Sequence, residues 1–294
     1  MSKAALVVMA AGMASRYGGD KQTEGMGPNG EILLEYSIHD AMRAGFDKVV
    51  FIIKPGMQEK IGSICGKKLA EKIEVCYAEQ DFSSIPKFYK VPETRIKPFG
   101  TVHAVLCAEK CLEEPFAVIN ADDYYGVEPF GRMFSFLTQK AGKGEAAMMG
   151  YRLKNTVSPS GSVTRGLCVI DNGILTGVRE VRKIALRKDG TIFEESETPA
   201  QLNPESPVSM NFWGFSTDVF TDMHAYFESF LQNIPEGNIT QECLLPEMVD
   251  ALVKHNALRV HVLETNASWF GVTYQADRAG VQQALLQLHE QGVY

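Results

Sequence analysis

The chain has 294 residues, of which 45% are hydrophobic and 22% are charged, and its formal net charge is -7 at neutral pH. This length and composition suit one large α/β domain with a sizeable core. Proteins that grip long nucleic acid mainly through its phosphates are usually basic, so the acidic balance excludes that partner.

The six cysteines are scattered along the chain without a CxxC pair, which is typical of free thiols in a reducing compartment. Cys107 and Cys111 lie four apart on a predicted helix, where buried packing is favoured over metal binding because no further ligands lie nearby. The apolar run 4–11 is too short for a signal peptide. No stretch reaches the ~18 apolar residues of a membrane span. We therefore expect a cytoplasmic protein with no membrane partner.

The first half of the chain alternates between predicted strands and predicted helices. Apolar runs and helical spacing predict strands at 4–9, 48–53, 73–77 and 116–120, and helices at 31–44, after Pro55-Gly56, and at 101–112. This alternation predicts a mostly parallel sheet that is covered on both faces.

The second half is less regular. Strands are predicted at 145–151, 166–170, 178–184, 208–215 and 258–263, and helices at 218–231, 241–255 and 275–291. The turn residues Asp171-Asn172-Gly173 connect two of these strands, and the polar segment 187–207 is predicted to be an exposed excursion. We find no repeat and no linker, so one compact domain with two lobes is expected.

A glycine-bearing loop follows the first strand, where residues 7–22 read VVMAAGMASRYGGDKQ. The loop contains no Walker A string. A dinucleotide loop would open a helix at once and place an acidic residue after the second strand, but the next helix waits until about Glu31 and Lys54 ends that strand. A tight turn without a ligand is the remaining alternative, which the length and charge of the loop disfavour.

The interpretation we favour for this loop is a triphosphate cradle. Backbone N–H groups of such a loop can point at phosphate oxygens. The guanidinium of Arg16 can bind two of those oxygens, and Lys21 can neutralise charge on a phosphate under attack.

The segment FAVINADDYYG at 116–126 is the second strong signal. Its apolar strand ends in Asp122 and Asp123, and ligands of α/β sheets bind at the carboxyl ends of strands. Adjacent carboxylates can hold Mg²⁺ together with water and substrate phosphates. The alternative is a turn in which one aspartate caps a helix. We favour the metal, with Asp122 as the ligand and Asp123 as a lesser candidate.

The string AAGMASRYGGDKQ resembles the AAGxGxR…K signature of the nucleotidyltransferases, the NDP-sugar pyrophosphorylase-like superfamily. Ala14 stands where that superfamily usually has glycine, and its methyl group could narrow the approach to phosphate. The resemblance implies a three-layer α/β/α nucleotide-diphosphosugar transferase fold, Rossmann-like, with a mixed, mainly parallel sheet. It further implies a single domain over 1–294, with 1–126 as the nucleotide-binding half and 127–294 as the acceptor-binding half.

The same resemblance assigns the nucleotide contacts. The segment from Gly100 to Val105 is similar to a stretch that contacts the base and sugar, although Val102 replaces a small residue, and taken alone it would indicate an ordinary helix cap. The implied nucleotide-binding residues are Ala10, Ala11, Gly12, Met13, Ala14, Ser15, Gly100, Thr101 and Ala104.

Acceptor contacts are implied on two strands of the second half. Residues 178–184 resemble a Glu-Lys segment that contacts the acceptor, which points to Glu180 and Lys183, with an exposed charged strand as the alternative. Residues 209–215 look like the Asn-x-x-Gly strand that lines the acceptor pocket, which adds Asn211 and Gly214.

One motif departs from the family pattern. Trp269-Phe270-Gly271 falls where sugar nucleotidyltransferases often read Trp-x-Asp, with the aspartate as second metal ligand. Either Asp122 binds the metal largely alone with substrate oxygens, or Asp277 or another acid assists. Taken on its own, Asp277 indicates a surface helix charge.

The reaction implied by the resemblance transfers NMP from a nucleoside triphosphate to a phosphorylated acceptor and releases pyrophosphate. A sugar 1-phosphate is the favoured acceptor, Mg²⁺ is the expected cofactor, and Arg16, Lys21 and Asp122 are the expected catalytic residues. Two alternatives stay open: a phosphocholine-type cytidylyltransferase on the same fold, and a non-catalytic nucleotide-sugar-binding regulator. Homo-oligomer formation is also left open.

Overall fold

The computed structural model describes residues 3–11, 25–64, 69–272 and 274–294. Within this part of the chain the strands are β1 Ala5–Met9, β2 Lys48–Ile53, β3 Glu74–Glu79, β4 Phe116–Asn120, β5 Asp123–Tyr124, β6 Glu145–Arg152, β7 Val163–Asp171, β8 Ile174–Leu186, β9 Ile192–Glu194, β10 Ala200–Gln201, β11 Pro207–Phe215, β12 Arg259–Thr265 and β13 Phe270–Gly271. The α-helices are α1 Leu33–Ala44, α2 Gln58–Ile64, α3 Thr101–Cys107, α4 Val127–Gln139, α5 Val219–Asn233, α6 Leu245–Lys254 and α7 Arg278–Glu290.

One large mixed sheet organises the molecule, in the order β10-β9-β8-β12-β6-β11-β4-β1-β2-β3, with β7 paired to β11 and β8. Strands β1 to β4 pair in parallel, and β11 runs antiparallel to both β4 and β6. A separate two-stranded sheet joins β5 to β13. The predicted mixed, mainly parallel sheet is confirmed at its centre, while the β7–β11 region adds antiparallel pairs.

Helices cover both faces of this sheet. Strand β1 sends alternate side chains to opposite faces because successive residues of a strand point in opposite directions. Leu6 belongs to the core shared with α1 and α4, and Val7 belongs to the core shared with α3, α5 and α6. This arrangement confirms the three-layer α/β/α fold.

Helix α4 is the main element that the sequence prediction lacked. Its buried residues, Phe130, Met133, Phe136 and Leu137, recur at the three- and four-residue spacing of an amphipathic helix. That spacing is present in the sequence, so the helix was predictable from the local pattern. Elsewhere the differences are smaller: the helix predicted at 101–112 ends at Cys107, and the excursion 187–207 contains β9 and β10.

The expectation of free thiols throughout is wrong at one pair. Cys76 on β3 and Cys111 in the turn after α3 are joined in a disulfide, with their Cα atoms 6.4 Å apart. The two residues meet because that turn packs beside β3, which scattered spacing in the sequence does not reveal. Cys107, Cys168 and Cys243 are free, and Cys65 lies outside the described residues.

Across the described ranges, none of the helices combines the length and the apolar character needed to cross a membrane.

Candidate functional site

The carboxyl ends of β1 and β4 form the edge at which the start of the glycine loop meets Asp122. The two strands are parallel neighbours in a register that pairs Met9 with Asn120. The residues that follow each strand therefore emerge at the same edge: Ala10 and Ala11 after β1, and Asp122 after β4. Gly12, Met13, Ala14, Ser15, Arg16 and Lys21 lie outside the described residues, so their contacts stay predictions.

Asp123 is the most constrained acid at this edge. Its Oδ2 atom accepts a hydrogen bond from Asn120 Nδ2 at 2.8 Å and lies 3.2 Å from the hydroxyl of Tyr125. Burial raises the pKa of Asp123 well above its usual range, and the neighbouring charge of Asp122 adds to that rise, against the lowering effect of the two hydrogen bonds. Asp122 itself is only partly buried. The pair therefore combines an accessible carboxylate with a fixed, buried one.

A chain of side-chain amides holds Asn120 in place. Asn211 donates from Nδ2 to Asn120 Oδ1 at 2.9 Å and accepts at Oδ1 from the indole nitrogen of Trp213 at 2.8 Å. Asn211 sits in an irregularity of β11 with a φ of 62°, a left-handed conformation that asparagine tolerates better than most residues. The observed contacts of Asn211 thus orient the acid edge through Asn120, and a contact with the acceptor stays a prediction.

Tyr125 completes this network, and sequence reasoning missed it. Its hydroxyl accepts from the backbone nitrogen of Asn120 at 3.1 Å and lies 3.1 Å from the carbonyl oxygen of Met210. The side chain is fully buried. A buried tyrosine normally finds a partner for its hydroxyl, so the tyrosine next to two acids was the available signal.

Gly271 occupies the place of the family's usual second aspartate. It pairs with Asp123 across the β5–β13 sheet. A Cβ atom at position 271 would lie 2.4 Å from Trp269 Cη2 and 3.1 Å from Asp123 Oδ1. The space for a second metal ligand on this strand is therefore filled by the indole ring and by the Asp123 carboxylate.

Asp277 is engaged elsewhere. Its Oδ1 accepts from Ser158 Oγ at 2.8 Å, and its Oδ2 accepts from the backbone nitrogen of Tyr274 at 3.3 Å. These bonds satisfy groups at the turn that leads into α7. Both carboxylate oxygens of Asp277 are therefore used in structural hydrogen bonds.

The donor set at the edge suits Mg²⁺ better than a transition metal. Among the residues that the structure describes, there is no group of three or more His, Cys, Asp or Glu side chains that could form a dense metal site. Mg²⁺ commonly takes only one or two carboxylates, and water and substrate phosphates supply the rest. Asp122, with Asp123 beside it, fits that requirement.

The predicted nucleotide segment forms the junction between α3 and α6. Gly100 has a φ of 93°, and a Cβ atom there would lie 2.6 Å from the carbonyl oxygen of Cys243. Thr101 Oγ1 accepts from the backbone nitrogen of Leu245 at 2.7 Å, and Ala104 is buried. Glycine is thus required here by geometry, and contact with a nucleotide stays a prediction.

His103, in the same segment, is a buried neutral residue. Its ring stacks on Phe227 with centroids 5.3 Å apart, and its Nε2 lies 3.0 Å from Ser84 Oγ. Burial lowers the pKa of His103 to about 4.

The remaining predicted acceptor residues are dispersed. Glu180 is half exposed and pairs with Arg182 at 2.7 Å, and Lys183 is exposed in a left-handed conformation with a φ of 53°. Gly214 lies in the core, where a Cβ atom would come 2.3 Å from Met133 Sδ. The absence of a side chain at Gly214 is explained by the close packing of α4.

A buried arginine on β7 was not predicted as a site residue. Arg165 is 8% exposed, and its guanidinium carbon lies 4.7 Å from the ring centroid of Trp269. Burial lowers the pKa of Arg165 to about 10, partly offset by the charge of Asp123. Its burial depends on residues far along the chain, so no local pattern in the sequence marks it.

Known proteins resemble this chain in sequence family and in fold. The family model described as Nucleotidyl transferase matches residues 26–228. The structure of the inositol-1-phosphate CTP transferase from T. maritima shares 12% identity with a TM-score of 0.60, covering 97% of this chain and 96% of that one. A putative glucose-1-phosphate thymidylyltransferase from Bacillus anthracis, in complex with a sucrose, shares 11% identity with a TM-score of 0.60, covering 97% of this chain and 95% of that one. A UDP-glucose pyrophosphorylase complexed with UDP-glucose shares 15% identity with a TM-score of 0.59, covering 97% of this chain and 98% of that one.

At these identities the structural likeness confirms the fold. No curated protein sequence matches the chain.

Proposed function

The chain belongs to the nucleotidyl transferase family, and on that basis we propose that it transfers NMP from a nucleoside triphosphate to a phosphorylated small molecule, with a sugar 1-phosphate as the favoured acceptor. An oxygen of the acceptor phosphate attacks the α-phosphorus, the bond from that phosphorus to the bridging oxygen breaks, and pyrophosphate leaves. The observation that carries the proposal is the convergence of Asp122, Asp123 and the start of the glycine loop at one sheet edge. A cytoplasmic location is part of the proposal.

The roles of the loop residues follow from the chemistry of this transfer, which depends on positioning and charge stabilisation. Backbone N–H groups from Gly12 to Ser15 and the guanidinium of Arg16 hold the β- and γ-phosphates. Lys21 stabilises the charge that develops at the α-phosphate.

Asp122 would hold Mg²⁺ next to the α-phosphate, and the bound ion would neutralise charge on the phosphate oxygens. Asp123 is fixed beside it by Asn120 and Tyr125. This fixed neighbour supports the assignment because a site that is held in advance needs no reorganisation during the reaction.

The class of acceptor is supported by the related structures, whose printed names include an inositol-1-phosphate CTP transferase and a glucose-1-phosphate thymidylyltransferase. Both names point to a phosphate ester as the attacking group. A phosphocholine-type acceptor fits the same edge and is separated from a sugar 1-phosphate by experiment.

The test is pyrophosphate release from each of the four nucleoside triphosphates with sugar 1-phosphates and phosphocholine, in Mg²⁺ and in EDTA. We expect release with one nucleotide–acceptor pair, and loss of release in EDTA. Asp122→Asn and Lys21→Ala should each lower kcat by roughly 10²–10³-fold, the range seen when one group that stabilises developing charge is removed.

Asp171→Asn and Lys188→Ala are matched controls on the exposed hairpin and its following turn, and should keep full activity. Full activity of both Asp122→Asn and Lys21→Ala would show that the site assignment is wrong. Absence of pyrophosphate release with every pair would show that the proposed activity is wrong.

A further inference from the structure

A cavity of about 330 Å³ opens beside the acid edge, between β7, the segment that contains β13, and the beginning of α7. Arg165, Trp269 and Gly271 line one side of it, and Ser158 and Asp277 line another. Gly271 pairs with Asp123, and a Cβ atom at position 271 would lie 3.1 Å from Asp123 Oδ1, so the cavity lies close to that carboxylate. Its volume lies at the lower end of the range for small-molecule pockets, roughly 300–1,000 Å³.

Two hydrogen-bond donors that belong to the lining residues have no acceptor. Arg165 Nε and Trp269 Nε1 are buried, and neither bonds to another atom within residues 3–11, 25–64, 69–272 and 274–294. The other two nitrogens of Arg165 donate to the carbonyl oxygens of Thr164 and Thr156, which are neutral groups. A buried cation whose hydrogen-bond partners are all neutral is costly, and the charge of Asp123 offsets that cost for Arg165 only in part.

We propose that this cavity binds the phosphorylated end of the acceptor, with Arg165 Nε and Trp269 Nε1 donating to its anionic oxygens. The inference rests on the proposed function for the identity of the ligand. An anion would satisfy both donors and compensate the charge of Arg165, and guanidinium groups suit phosphate oxygens in geometry and charge. The site adjoins Asp123, which places the bound phosphate next to the edge where the α-phosphorus is expected.

The same geometry explains why the cationic side chain that binds the acceptor phosphate need not be the exposed Lys183. Arg165 pairs with the buried Val181 on β8, so its side chain lies on the inner face of the hairpin. Glu180 and Lys183, the residues that the sequence favoured, are exposed on the same strand. The hairpin therefore offers a buried cation at Arg165 in place of the exposed cation at Lys183.

The experiment uses Trp269 as the reporter, because the chain has two tryptophans and the indole nitrogen of the other, Trp213, is already bonded to Asn211 in the core. Inorganic phosphate and α-D-glucose 1-phosphate are titrated into the full chain while tryptophan emission is recorded. We expect the tryptophan emission of the wild type to change saturably with the concentration of either probe. Arg165→Met should weaken it about 10- to 100-fold, since hydrogen bonds to charged groups contribute about 1.5–3 kcal/mol.

Arg165→Lys keeps the charge and loses the planar guanidinium group, so its affinity for phosphate should lie between those of the wild type and Arg165→Met. If Arg165→Met does not fold, Arg165→Lys provides the test. Arg187→Met is the matched control, because Arg187 is exposed and lies over the ring of Phe193, further along the hairpin. It should bind both probes as the wild type does. In turnover, Arg165→Met should raise the acceptor KM and leave the KM of the nucleoside triphosphate unchanged.

Equal phosphate affinity in the wild type, Arg165→Met and Arg165→Lys would overturn the proposal. Phosphate binding that depends on Arg165, in a protein that releases no pyrophosphate with any acceptor, would support the anion site and overturn the proposed function. Pyrophosphate release with an acceptor KM that is independent of Arg165 would support the proposed function and overturn this assignment.

Discussion

Replacing Gly271 by aspartate would restore the residue that the family pattern places there, and we expect it to destabilise the protein. A Cβ atom at this position lies 2.4 Å and 2.6 Å from two carbons of the Trp269 ring. A rigid ring that also lies under the Arg165 guanidinium cannot move aside as the end of a flexible chain can. Overpacking of this kind costs typically about 1–3 kcal/mol, so Gly271→Ala should lose about 2 kcal/mol.

The aspartate adds an electrostatic cost to this steric one. Its carboxylate would enter the space next to Asp123 Oδ1, which lies 3.1 Å from the added Cβ. Two carboxylates that share one site cannot both ionise without penalty. We expect a total loss of about 4 kcal/mol for Gly271→Asp in buffer without divalent metal, of which about half comes from charge.

The assay is thermal unfolding of the wild type, Gly271→Ala and Gly271→Asp. At about 2 °C per kcal/mol for a chain of this size, Tm should fall by about 4 °C for alanine and about 8 °C for aspartate. The difference between the two variants should shrink from pH 8 to pH 5, since protonation of one carboxyl relieves the repulsion.

A Gly271→Asp variant with the same Tm as the wild type in EDTA would refute the reasoning. So would a variant that Mg²⁺ stabilises more strongly than it stabilises the wild type, because that result would mean that position 271 has room for a second metal ligand.

Three further results are expected. Burial lowers the pKa of His103 to about 4 from 6.5, so the stability that the neutral ring contributes above pH 6.5 is lost as pH falls towards 4. In urea titrations, the free energy of unfolding of the wild type should therefore fall by about 3 kcal/mol more between pH 7.5 and pH 4.5 than that of His103→Gln. Removing the disulfide with Cys76→Ser and Cys111→Ser should cost about 2–4 kcal/mol, and dithiothreitol should lower the urea midpoint of the wild type but not of the double variant. Tyr125→Phe should lower the free energy of unfolding by about 2 kcal/mol, measured by the same titration, because it removes the hydroxyl that the Asn120 backbone nitrogen donates to and leaves the buried Asp123 with one hydrogen bond fewer.

The sequence predicted best the elements whose signals are local. β1 and β4 are continuous apolar runs, and α1 combines helical spacing with a terminal glycine, Gly45, in the left-handed conformation. The alternation of strand and helix predicts that both strands run parallel in one sheet, so that both end at the same edge. The acid edge at Asp122 could therefore be located before the fold was known.

The features that the sequence did not predict depend on distant partners. The bond from Asn211 to Asn120 was not predicted, because only the pairing of β11 with β4 brings these two residues close. Arg165 was not predicted either, because it is covered by Trp269, more than 100 residues along the chain. Such contacts require the topology, which local spacing does not contain.

The position of β11 between β4 and β6 constrains the order in which the sheet can form during synthesis. Strands β1 to β4 emerge first and can assemble as β3-β2-β1-β4, but one side of β4 then has no partner until residues 207–215 have been made. An unpaired edge strand in a nascent chain is a template for pairing with other chains. We expect the first half expressed alone to aggregate through this edge, and the ribosome-bound chain to need protection there until the second half arrives.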